Sequence, residues 1–103
     1  MNQKHVKHLD LICKEFKKAC AKHPKFCDAL TNKSREAVRK ALAELRIENS
    51  EGPYFADRIL HEEIAEALEA YLDGDLKHSL QELAQCGAVI LRMMQFVQDE
   101  MEA

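Results

Sequence analysis

Tryptophan is absent, and glycine and proline together supply five of the 103 residues. A chain so poor in both is not a collagen-like repeat, and at 47% hydrophobic and 32% charged residues it is not a disordered segment either. No apolar run approaches the roughly 18–20 residues that a bilayer span needs. The opening stretch MNQKHVKHLDLICKEF lacks the continuous apolar core of a signal peptide. A cytoplasmic protein with no membrane partner is therefore expected. Also missing are a glycine-rich phosphate loop, a Ser/His/Asp arrangement and a nucleophilic-cysteine motif.

At 103 residues the chain has the length of a single domain, residues 1–103, with only a modest core of its own. Oligomerisation would supplement that core. Four cysteines are present, Cys13, Cys20, Cys27 and Cys86. In a reducing compartment they are expected to be free. Cys13 and Cys20, seven residues apart, share a helical face with Val6, Leu9 and Phe16, so they read as small buried hydrophobes. The competing reading is a zinc site using Cys20, His23 and Cys27, with His5 or His8, but no second paired-ligand motif accompanies it.

Net charge is only −3, yet it is unevenly distributed. Residues 1–50 hold 12 basic and 6 acidic side chains, and residues 51–103 hold 3 and 12. One reading is a pair of solvated surfaces that attract each other. The other is an acidic half that holds cations and a basic half that meets an anion. Nucleic acid is not an expected partner, because the total is negative and no basic stretch is interleaved with aromatics.

Hydrophobic periodicity predicts four helices and no strand. The first covers about Gln3 to Lys22, with Val6, Leu9, Ile12, Cys13, Phe16, Ala19 and Cys20 as one buried stripe, and His23-Pro24 ends it. A second, from about Lys33 to Glu48, buries Val38, Ala41, Leu42 and Leu45. The third runs from about Phe55 to Leu72. Asp73-Gly74-Asp75 then breaks the chain before a fourth from Leu76 to Gln98 or slightly beyond. That short turn makes the last two helices antiparallel neighbours.

At about 100° per residue, the apolar arc of the third helix is set by Ile59, Leu60, Ile64, Ala67, Leu68 and Tyr71, its edge carries Ile59 and Ala70, and Glu63 and Glu66 flank that edge. On the fourth, Cys86, Val89, Ile90, Met93 and Val97 surround the direction of Glu82, and Gln85 lies toward the edge one turn on. An isolated buried carboxylate costs several kcal/mol or takes up a proton. Three converging carboxylates repel one another unless a cation sits between them. Mg²⁺ suits that need, being a hard ion that prefers oxygen and keeps waters which substrate phosphates can replace. The competing reading is solvated surface, since an ExxE pair is common on helices.

Glu62-Glu63-Ile64-Ala65-Glu66, a 15-residue spacer and Glu82-Leu83-Ala84-Gln85 resemble the EExxE, spacer, ExxD signature of the MazG-like all-α nucleoside triphosphate pyrophosphohydrolases. The similarity runs from Phe55 to Phe96, about four tenths of the chain. It implies an all-α, MazG-like helical bundle of about four helices, completed by oligomerisation as a homodimer or dimer of dimers. It also implies Mg²⁺-dependent cleavage of a nucleoside triphosphate, with Mn²⁺ as an alternative metal, to the monophosphate and pyrophosphate. By motif position Glu63, Glu66, Glu82 and Gln85 become metal ligands, and Glu62 supports metal binding or water activation. Gln85 replaces the family's Asp; its amide oxygen still coordinates but brings no charge. The site then either binds Mg²⁺ more weakly and works, or has kept the scaffold and lost the chemistry.

Lys77 and Arg92, with Lys14, Lys17, Lys18 and Lys22, are candidates to neutralise a triphosphate, against the ordinary reading of solvated cations. His61 and His78 flank the acidic motif as candidate phosphate contacts or bases. Met93, Met94 and Phe96 read as core or dimer interface. The alternative from another class is a non-catalytic interaction or regulatory protein on the same scaffold.

Overall fold

The computed structural model describes residues 3–103, with side chains from residue 5 onward. Four helices are found among the described residues: α1 (Gln3–Lys22), α2 (Arg35–Ser50), α3 (Ala56–Leu72) and α4 (Leu76–Glu102). No strand occurs there, and none of these helices is long and apolar enough to cross a membrane. The helices fall into two compact units, Ala29–Ile90 and Met1–Asp28 with Leu91–Ala103, so the division lies within the length of α4.

Local chemistry explains the boundaries. His23 N–H donates to Ala19 O at 2.8 Å, and Pro24 then ends α1 because it has no N–H to offer. The second helix starts at Arg35, two residues later than expected, because Ser34 is its N-cap and accepts from the Ala37 N–H at 3.1 Å through its Oγ. Helix α3 ends in a Schellman turn: Gly74 N–H donates to Tyr71 O at 3.0 Å and Asp75 N–H to Ala70 O at 2.9 Å. Gly74 adopts φ +81° there, a conformation that strains any residue with a Cβ. Asp75 Oδ1 then accepts from the His78 N–H at 3.1 Å and caps α4. Gly74→Ala is expected to cost about 1 kcal/mol through the backbone alone, because no atom lies within 4 Å of the added Cβ. A thermal melt checks this, and an unchanged midpoint would contradict the turn assignment.

In the unit Ala29–Ile90, helices α2 and α3 run antiparallel. Arg35 meets Leu72 O at 2.7 Å and Asp73 at 3.0 Å, Arg39 meets Asp73 at 3.3 Å and Glu69 at 3.5 Å, and Arg46 meets Glu66 at 3.5 Å. Partners fall along α3 as the number rises along α2. Each pair is partly exposed and stabilises little alone; together they fix the register. Val38 and Leu42 of α2, 2% and 1% exposed, pack in a core shared by Ala65, Ala67 and Ala70 of α3 and Ser79 and Cys86 of α4. Ser79 Oγ donates to Ala67 O at 2.8 Å, which satisfies the hydroxyl and ties α4 to α3.

Three expectations need correction. The core face of α3 runs through its alanines, while Ile59 and Ile64 of the expected arc are each 37% exposed. Helices approach closely over small side chains, so the alanines are buried more completely than the larger residues beside them. The expected stripe of α1 is also not buried: Val6, Ile12, Cys13, Ala19 and Cys20 are exposed, Phe16 is 67% exposed and Leu9 is half-buried. The rest of its unit is short, residues 23–28 and 91–103, and of the described α1 side chains His8 alone is buried. All four cysteines are free, with Cys13, Cys20 and Cys27 exposed and Cys86 alone buried. Ile90 and Val97 of α4, expected in the apolar arc, are exposed as well.

Candidate functional site

Glu63 and Glu66 lie one turn apart on α3, and Glu82 lies in the second turn of α4. The Asp73–Asp75 turn folds these stretches back on each other, and one oxygen from each carboxylate falls within 4.8 Å of the other two. Among the described residues, this is the group of acidic, histidine or cysteine side chains that brings three donor atoms together. Cys20, His23 and Cys27 do not gather in that way. Glu82 is 9% exposed, and Glu63 and Glu66 are half-buried.

The carboxylates are incompletely satisfied. Glu82 Oε1 lies 3.0 Å from His78 Nε2, but Glu82 Oε2 and Glu63 Oε2 are buried without a hydrogen-bond partner. A buried oxygen left in that state is costly. Burial first, then the close Glu82 carboxylate and repulsion by Glu63 and Glu82, push Glu66 up to about 7, against the downward pull of Arg46. Glu63 is raised by burial first and then by Glu82 and Glu62. The Cys86 thiol is raised by burial and by Glu63 and Glu82.

Such a donor set fits a hard divalent cation. All three ligand atoms are carboxylate oxygens, two of the carboxylates keep an unpartnered buried oxygen, and the charge now causing repulsion is what a cation would balance. A groove of about 230 Å³ opens beside the group, lined by Glu66 and Glu82 together with Arg46, Asp73, Asp75 and His78. It leaves room for metal-bound water or phosphate oxygens.

The other candidates are dispersed. Glu62 is half-buried on α3 and accepts from Asn49 Nδ2 at 2.9 Å, and the same amide donates to Arg58 O at 3.1 Å. Gln85 is exposed, one turn beyond Glu82, and Lys77 is exposed in the first turn of α4. Arg92 is exposed and belongs to the other unit. His61 is exposed and lines a separate groove between α2 and α3 with Leu45, Ile64 and Leu68.

Sequence reasoning missed Arg46 and Asn49. Arg46 pairs with Glu66, and Asn49 holds Glu62. Arg35, Arg39 and Arg46 stand four and seven residues apart on α2, a spacing that marks one helical face and is visible in the sequence. Their acidic partners are 20 to 38 positions away, so only the antiparallel packing identifies them. No protein-family model, curated protein or solved structure matches the chain.

Proposed function

We propose that this chain is a Mg²⁺-dependent, MazG-like nucleoside triphosphate pyrophosphohydrolase. The observation that carries the reading is the convergence of Glu63, Glu66 and the buried Glu82 within 4.8 Å, with Glu82 Oε2 unpartnered. Resemblance of the same residues to the EExxE, spacer, ExxD pattern supports it. The reaction adds water across the α–β anhydride, so that the α-phosphorus gains an oxygen and pyrophosphate leaves. Bound Mg²⁺ supplies charge neutralisation on the phosphates and a lowered pKa for the attacking water.

The chain's own residues take complementary roles. Glu63, Glu66 and Glu82 hold the ion. Glu62, oriented by Asn49, accepts the water proton. Lys77, exposed in the first turn of α4, is the candidate phosphate contact. Gln85, exposed beside the motif, contributes a neutral amide oxygen, so Mg²⁺ affinity is lower than a fourth carboxylate would give.

A panel of ribo-, deoxyribo- and non-standard nucleoside triphosphates tests the reading, with each reaction run with Mg²⁺, Mn²⁺ or chelator and scored for monophosphate. Metal-dependent turnover of at least one member is expected. No turnover across the panel would leave the second reading, a non-catalytic interaction protein.

That second reading draws on the apolar surface of Met1–Asp28 and Leu91–Ala103. Leu11, Ile12, Phe16 and Met94 line one apolar groove there, and Phe96, Val97 and Met101 are more than half exposed. Solvent contact over such a patch is unfavourable. Either function is therefore proposed to operate in a homodimer or dimer of dimers that covers it. Light scattering at micromolar concentration should give at least twice the 11.8 kDa chain mass. Phe16→Asp should lower that mass to the monomer, and a monodisperse unmodified monomer would contradict the assembly.

A further inference from the structure

We infer that His78 is a positioning residue that fixes the Glu82 carboxylate so that Oε2 is the oxygen offered to a divalent cation; the inference rests on the metal-site reading above. Residues 78 and 82 are one turn apart on α4, and His78 Nε2 lies 3.0 Å from Glu82 Oε1. The other oxygen, Oε2, is buried and has no partner. In the metal-bound state proposed above, a ligating carboxylate only accepts, so the His78 Nε2–H would be the donor to Oε1. One end of the carboxylate is thereby committed to His78. The open oxygen is the one left for a ligand.

His78 is also fixed at its backbone. Asp75 Oδ1 accepts from the His78 backbone N–H at 3.1 Å, and Asp75 Oδ2 stands 4.0 Å from the His78 Nδ1. Asp75 also starts α4 as its capping residue. The capped helix end, the imidazole and the buried carboxylate therefore form a continuous sequence of contacts leading to the three-carboxylate group. His78 is 54% exposed at its side chain, so it adds little to the core. Its strongest contact in the structure is with Glu82, which makes ligand orientation the role its geometry serves. Partners that orient metal-ligating side chains typically change metal affinity by 10–100-fold when removed.

The experiment measures Mg²⁺ affinity by calorimetric titration of the full chain at fixed pH, with Mn²⁺ titration followed by water proton relaxation as a second probe. Metal-free melting temperatures are recorded in parallel. His78→Ala should weaken both affinities by about 10-fold or more, with a small change in metal-free melting temperature. His78→Gln keeps an N–H near the Nε2 position and should recover the affinity to within a few-fold of the unmodified protein. Unchanged affinity in His78→Ala, with intact binding in the unmodified protein, would overturn the positioning role alone. A lower metal-free melting temperature at unchanged affinity would do the same, by showing that the contact only supports the helix. If the unmodified protein bound neither ion, the metal-site reading and this inference would fall together.

Discussion

Glu82→Gln is expected to lower metal-dependent hydrolysis by roughly 100-fold or more, the scale of losing one preorganised electrostatic contact, and to remove most of the melting-temperature rise that Mg²⁺ produces. Glu82 is the most buried of the three carboxylates and holds one of the two unpartnered oxygens. Gln preserves the shape and can still accept from His78, but it deletes the charge. In the metal-free protein that deletion relieves repulsion with Glu63 and Glu66, so stability without metal should stay equal or rise. With metal, the preferential stabilisation of the folded state is lost. Opposite signs in the two conditions identify a cation site. Destabilisation of the metal-free protein, with no metal effect in the unmodified chain, would instead mark Glu82 as a structural hydrogen-bond acceptor.

The metal-free protein should lose stability as pH rises from about 4.5 to about 7. Glu66 has its folded-state pKa raised from 4.5 to about 7, and Glu63 is raised as well. In that window the folded state binds more protons than the unfolded state, so each upward step in pH favours unfolding. The loss is complete above about 7, where the folded carboxylates are ionised and crowded. Mg²⁺ should reverse this trend, because its ligands must be deprotonated and its binding strengthens as pH rises. The melting-temperature increase produced by Mg²⁺ should therefore be small near pH 5 and largest near pH 8. Melts across that range with Mg²⁺ or chelator check the two slopes. A chelated protein whose stability does not fall with pH would show that the three carboxylates do not crowd one another.

The readable parts of this molecule were those governed by neighbours in the chain. Pro24 and the Asp73-Gly74-Asp75 turn announce their helix ends because a missing N–H and a positive φ are properties of single residues. The carboxylate convergence was also legible. Glu63 and Glu66 share a helical face, and a tight turn brings Glu82 back toward them within a short spacer. What escaped was decided by contacts between helices. The α3 arc includes the buried Ala67 as expected, but close approach also buries Ala65 and the edge residue Ala70 while Ile59 and Ile64 stay exposed. The stripe on α1 has the right period for burial, but period alone does not supply a partner helix. Arg46 pairs with Glu66 only because α2 and α3 run antiparallel, and that arrangement is not visible from neighbours in the chain.

In the proposed reaction water attacks the α-phosphorus of a nucleoside triphosphate at the Glu63, Glu66 and Glu82 group. Its most direct test uses a nucleotide that the protein turns over, incubated with Mg²⁺ in ¹⁸O-enriched water and analysed by ³¹P NMR and mass spectrometry. The account predicts two products, with the label in the nucleoside monophosphate and none in the pyrophosphate. Formation of nucleoside diphosphate and inorganic phosphate, label in the pyrophosphate, or equal cleavage by Glu82→Gln would contradict it.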